Sequence, residues 1–135
     1  MGKPISSDDY IKIQNVLGKY NWLVDRGDGD GWAKLFVEDG VVAGLMSDPL
    51  VGHDSIRLVP INALRDFKGK MFHHLTNLYL EYGQNEDEVV GHAYNTVTEW
   101  EGGGKFFCNT RSNYQFVRLS GDWKVKRVDI EMITS

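Results

Sequence analysis

The chain has 135 residues, 41% of them hydrophobic and 25% charged, which is enough apolar content for one domain with a core of its own. A formal net charge of −4 and a pI near 5.5 offer no basic face for a nucleic-acid partner. A single cysteine, Cys108, excludes an intrachain disulfide framework and points to a reducing compartment. The N-terminal MGKPISSDDY lacks an apolar leader-like run and no stretch approaches membrane-span length, so a cytoplasmic protein without a membrane partner is expected.

In chain order, Ser7, Asp8 and Asp9 supply N-cap candidates and a negative first turn. Tyr10, Ile13, Val16, Leu17, Tyr20, Leu23 and Val24 then recur at helical spacing. The helix is predicted to stop in Arg26-Gly27-Asp28-Gly29-Asp30-Gly31, which is too rich in glycine to continue. Asp30 is predicted to cap a short second helix through Trp32, Leu35 and Phe36, and Asp39-Gly40 to turn the chain into a strand over 41–46. Residues 52–68 read as a third helical stretch interrupted at Pro60. The segments 72–82, 89–100, 105–119 and 123–133 are rich in β-branched and aromatic residues and are separated by Gly- and Asp-rich turns. Helices first and a four-strand meander afterwards define an α+β fold, with the sheet wrapped over the helices. The whole of 1–135 reads as one domain.

Chemistry concentrates in two strings far apart in sequence, Tyr20-Asn21-Trp22-Leu23-Val24-Asp25 and His73-His74-Leu75-Thr76-Asn77. Asp25 closes the first helix, where the macrodipole disfavours a negative charge and a carboxylate needs compensation. It either caps a backbone amide of the glycine turn or meets a cation or imidazole brought by the fold. Tyr20 precedes it by five residues, about 140° around the helix, so both can border one cavity without touching. Strand alternation sends His73 and His74 to opposite faces, the first with Leu75, Asn77 and Tyr79, the second with Thr76, Leu78 and Leu80. An aspartate against an imidazole is the minimum equipment for abstracting a proton from a small molecule.

Competing motifs fail on spacing. Asp28-Gly29-Asp30-Gly31 places Trp32 where a calcium loop needs an oxygen ligand. Glu101-Gly102-Gly103-Gly104-Lys105 lacks the phosphate-loop pattern and reads as a hairpin. There is no GxSxG nucleophile string. His53 and His92 offer no metal-ligand spacing, so neither a metal nor a cofactor is expected. Cys108 has no adjacent base and reads as a core thiol.

The ordered elements Tyr20…Asp25, Asp30-Gly31-Trp32, Leu35-Phe36-Val37-Glu38-Asp39-Gly40, His73…Thr76-Asn77 and Gly121-Asp122-Trp123-Lys124 resemble the SnoaL-like branch of the nuclear-transport-factor-2-like superfamily. The resemblance spans residues 8–131. It implies a cystatin-like α+β barrel, a cone-like curved sheet of mixed or antiparallel strands around the N-terminal helices. Among functional relatives, the chain is similar to scytalone dehydratase and hexachlorocyclohexane dehydrochlorinase, lyases whose Asp–His dyad falls at Asp25 and His73. Anchoring instead on Glu86-Asp87-Glu88-Val89-Val90-Gly91 shifts the histidine to His74.

The dehydratase's second histidine has Glu99 at its nearest matching place, and the dehydrochlorinase's last-strand arginine has Val128. The dehydratase's tyrosine next to its aspartate falls at Val24. The resemblance implies Asp25 and His73 as the catalytic pair, and Tyr20 is expected beside them as a hydrogen-bond donor to a carbonyl or leaving hydroxyl. Asn77, Glu99, Trp22 and Val128 are expected as substrate contacts. The expected activity is a dehydratase-like elimination on a small hydrophobic, hydroxylated or carbonyl substrate in an aromatic-lined pocket. Two alternatives stand beside it: an isomerase or cyclase with a carboxylate base, Asp25 or Glu99, and a non-catalytic binding or assembly domain. A homo-oligomer, dimer or trimer, is expected from Leu78 and Leu80 on the strand face opposite His73.

Overall fold

The computed structural model describes residues 3–134. Of the N-terminal segment expected to carry no leader, Met1 and Gly2 lie outside the described residues. Helix α1, Ser7–Asp25, begins at Ser6, whose Oγ accepts from the Asp9 backbone N–H at 3.1 Å. The cap thus falls one residue before the predicted candidates. Its buried face carries Ile13, Leu17, Tyr20, Asn21 and Val24, and Gly27 at φ 73° ends it.

A five-residue helix α2, Gly29–Ala33, follows, capped by Asp28 rather than Asp30: Asp28 Oδ1 accepts from Gly31 N–H at 2.9 Å. Asp30 instead takes Arg57 Nε at 2.7 Å. Only glycine fits at 29, since a Cβ there would lie 2.1 Å from the Arg57 carbonyl oxygen.

Phe36, expected at the end of this helix, opens strand β1, Phe36–Ala43. Asp39 and Gly40 therefore lie within the strand, at an irregularity between Phe36 and Val41. A two-residue strand β2, Leu50–Val51, precedes helices α3, His53–Ile56, and α4, Leu58–Phe67. The break between these helices falls at Arg57. Pro60 sits in the first turn of α4, where the missing N–H has no intrahelical acceptor to lose.

Strands β3, Met71–Tyr82, β4, Glu88–Glu99, β5, Lys105–Leu119, and β6, Asp122–Thr134, form the meander read from the sequence. The sheet order is β2-β1-β6-β5-β4-β3, antiparallel except for the β1–β6 pair, which is parallel. That parallel pairing joins the two halves of the chain and has no signature in local pattern. Register shifts in β3, in β5 against β4, and between β5 and β6 add one-residue bulges, and each bulge bends and coils its strand. The six-stranded sheet is curved, and α1 lies in its concavity over Val89, Ala93, Tyr114, Phe116, Val125 and Val128.

The bulge in β3 changes the face of half that strand. Pairing passes from Leu75↔Asn95 to Asn77↔Tyr94, leaving Thr76 unpaired. Past it, Leu78 and Leu80 turn to the same side as His73, and Leu80 is buried among core residues. Strict alternation puts these leucines on the opposite face, so they do not supply the uncovered apolar surface expected for self-association. The exposed side carries His74, Tyr79 and Tyr94 instead.

Candidate active site

Asp25 is the last residue of α1, and β3 is the edge strand of the sheet. The backbone N–H of His73 therefore points away from β4 and is free for another acceptor. Asp25 takes it, with Oδ2 at 3.1 Å and Oδ1 at 3.3 Å, and Oδ1 also lies 2.7 Å from His73 Nδ1. One carboxylate thus fixes both the main chain and the ring of one residue. The side chains of Asp25 and His73 are 13% and 21% exposed, so water competes little for this contact. A carboxylate accepts only, so Nδ1 is the donor in this contact.

His73 lines a cavity of about 180 Å³. Tyr20 and Val24 of α1, Trp32 of α2, and Val59 and Ala63 of α4 form one side of it. Met71 and His73 of β3, Thr110 and Ser112 of β5, Ile130 of β6, and Leu45 of the β1–β2 connection form the other. The lining is mostly aliphatic and aromatic, with few polar groups set into it. Among the described residues, neither the Tyr20 nor the Thr110 hydroxyl has a protein hydrogen-bond partner, and both border the cavity.

Burial pushes the Tyr20 hydroxyl well above the usual phenolic range, with the neighbouring Tyr114 adding to the effect, so it stays protonated. Beneath the cavity a polar layer is satisfied internally. Asn21 Nδ2 donates to Asn95 Oδ1 at 3.1 Å. Tyr114 is raised by burial and pulled back by hydrogen bonds to Ser112 and Asn95. Tyr20, Trp32 and Phe36 pack as an aromatic cluster, with the Trp32 centroid 5.1 Å from Tyr20 and 5.0 Å from Phe36. Trp32 Nε1 is buried there without a hydrogen-bond partner among the described residues.

The other residues singled out from the sequence fall elsewhere. His74 faces outward and its Nε2 meets Thr98 Oγ1 at 2.9 Å. Asn77 is exposed beyond the bulge, opposite Tyr94, and does not border the cavity. Trp22 is 65% exposed under the Arg26 guanidinium, because two residues from Tyr20 is more than half a turn around the helix. Glu99 ends β4 and its Oε1 accepts from the Glu101 backbone at 2.7 Å, closing the hairpin. Val128 is fully buried in the core between Val42 and Tyr114. None of these residues contributes to the cavity wall.

The sequence reading missed Val24, Trp32, Leu45, Val59, Ala63, Met71, Thr110, Ser112 and Ile130 as cavity residues. The one available signal was the alternation Cys108, Thr110, Ser112, Tyr114, which places small polar residues on the buried face of a strand. Cys108 is buried as a core thiol, its ionisation disfavoured by burial. No three His, Cys, Asp or Glu side chains gather as a metal-binding group among the described residues. No helix among them is long and apolar enough to cross a membrane.

A curved sheet closed over a long helix is a fold this chain shares with solved structures. The chain is similar to Aln2 from a Streptomyces species, with a TM-score of 0.86 and 22% identity over 96% of this chain and 94% of that one. An NTF2-like protein with a cystatin-like fold from Novosphingobium aromaticivorans gives 0.83 and 20%, covering 95% and 84%. A candidate scytalone dehydratase from the same organism gives 0.78 and 19%, covering 93% and 85%. At these identities the likeness establishes the fold. The family model described as a SnoaL-like domain matches residues 6–129, and the chain belongs to that family. Comparison with curated proteins finds no match.

Proposed function

We propose that this protein is a small-molecule lyase or isomerase in which His73 is the general base. The observation that carries the reading is the 2.7 Å contact of His73 Nδ1 with Asp25 at the wall of an apolar cavity. His73 Nε2 takes a proton from a carbon next to a carbonyl or to a leaving group. In an elimination, the C–H electron pair becomes the new double bond and the leaving group departs with its own pair. For a hydroxyl leaving group, the imidazolium returns its proton and water is released. In an isomerisation, the same proton goes back to a different carbon. Asp25 holds the tautomer and stabilises the imidazolium, and the protonated Tyr20 hydroxyl is a donor for a carbonyl or alkoxide oxygen.

Asp25 supports His73 better than it serves as a base itself, because both its oxygens already accept from His73. The structural likeness to a candidate scytalone dehydratase is consistent with this chemistry.

The test needs no knowledge of the natural substrate. Exchange of the α-protons of cyclohexanone for deuterium in D₂O is followed by NMR with wild type and His73→Ala. Wild type should accelerate exchange, with a positioned base contributing on the order of 10²–10⁴-fold, and His73→Ala should fall to background. Undiminished acceleration by His73→Ala removes the assignment.

A further inference from the structure

The cavity is small for a ligand site. Pockets for drug-sized molecules run about 300–1,000 Å³, whereas this one is about 180 Å³. An apolar cavity of about 150 Å³ takes a single benzene ring. Several walls are not free to yield. Tyr20, Trp32 and Ser112 are 6%, 1% and 3% exposed. The two aromatics are interlocked with Phe36 and Tyr114, at centroid distances of 5.0–6.2 Å. Displacing any of them disrupts the packed centre of the protein.

The remaining side is built differently. Val59 and Ala63 lie one helical turn apart on α4 and present one face to the cavity. Leu45 comes from the 44–49 connection, which has no regular structure, and is 45% exposed.

We propose that the site accepts substrates of one six-membered ring with small substituents, and that Ala63 and Leu45 set this limit. This deepens the reading above and rests on the cavity being the substrate site. Ala63 sets the limit by its smallness, since any larger side chain at that position grows into the space a ring would take. Leu45 sets it from the mouth, where truncation enlarges the cavity without removing a core residue. A fused two-ring molecule exceeds the space left between the fixed aromatic walls and the Ala63 and Leu45 side.

Binding of cyclohexanone and of 1-decalone to the isotope-labelled full chain, read by NMR on the lining residues, tests this directly. Both are ketones, so only size differs. Cyclohexanone should perturb Thr110, Ile130 and His73, and 1-decalone should bind about tenfold more weakly or worse, the penalty expected for overfilling a packed site. Leu45→Ala should narrow that gap. Ala63→Leu should weaken cyclohexanone by about tenfold or more while the melting temperature holds or rises, because it fills space rather than creating strain. Equal binding of both ketones to wild type overturns the proposal. So does cyclohexanone affinity unchanged in a folded Ala63→Leu, or the absence of any perturbation by either ketone at millimolar concentration. If the size order holds while His73→Ala leaves proton exchange intact, the size limit stands and the base assignment alone falls.

Discussion

Replacing Asp25 by Asn separates what that carboxylate does for function from what it does for stability. In wild type, Asp25 can only accept, so His73 carries its proton on Nδ1 at 2.7 Å from Oδ1. An asparagine can still accept the His73 backbone N–H through its carbonyl oxygen. Its amide group then faces Nδ1 as a donor, and the ring must present a lone pair there. The proton moves to Nε2, and the nitrogen proposed as the base becomes a donor that cannot abstract anything.

The energetic cost is modest. Hydrogen bonds to charged groups contribute about 1.5–3 kcal/mol and neutral ones about 0.5–1.5, so the exchange loses roughly 1–1.5 kcal/mol. Removing a negative charge from a helix C-terminus returns about 0.3–1 kcal/mol. The net loss is below roughly 1.5 kcal/mol, or a few degrees in melting temperature for a chain of this size.

Long-range ¹H–¹⁵N correlation of the histidine rings reads the tautomer, and urea denaturation reads the stability. The expected result is an Nδ1–H tautomer for His73 in wild type, an Nε2–H tautomer in a folded Asp25→Asn, and background proton exchange in the variant. A wild-type Nε2–H tautomer, or an Asp25→Asn variant that keeps both tautomer and exchange, refutes the reasoning.

Three further outcomes follow from other parts of the structure. Burial raises Asp9, but hydrogen bonds from Tyr82, Trp123 and Ser6 and the Arg118 charge outweigh it and hold its carboxyl below the ordinary value of 3.8. Its folded pKa is depressed, so its stabilisation is fully present above about pH 4 and is lost as pH falls through the folded value. Asp9→Asn should therefore destabilise at neutral pH by roughly 1–3 kcal/mol, with the difference from wild type vanishing in urea melts well below pH 4; a constant difference would contradict the linkage. Gly29→Ala puts a Cβ 2.1 Å from the Arg57 carbonyl oxygen and should cost about 1–3 kcal/mol as α2 and α3 are forced apart, so an unchanged denaturation midpoint would mean the two backbones are not held together. His74→Ala, on the exposed face, should change stability by less than about 0.5 kcal/mol and leave proton exchange intact, whereas loss of exchange would point to His74 as the base.

The elements themselves were legible because they rest on local physics. The apolar stripe and acidic first turn of α1, and the turn-bounded runs of β3 to β6, emerged within a few residues of where periodicity placed them. Asp25 and His73 were also legible as residue types: a carboxylate at a helix end lacks compensation, and an imidazole on a strand can meet one. That β3 is an edge strand whose amide Asp25 also takes came only from the structure. The substrate contacts were not legible. Trp22, Asn77, Glu99 and Val128 were placed by position in a string or by correspondence with relatives, and each proved to be exposed, at a hairpin or in the core.

By itself, then, the sequence determined the order of helices and strands, the end of α1 at a carboxylate, and the presence of an imidazole on β3. These depend on side-chain period, capping and glycine, all of which act over a turn or a few residues. Only the tertiary structure decided the parallel closure of β1 on β6, the face of Leu78 and Leu80, and the set of residues around the cavity. A single unpaired residue, Thr76, reverses every side chain after it. A cavity wall gathered from α1, α2, α4, β3, β5, β6 and the β1–β2 connection is defined by register and helix placement, which no local window contains.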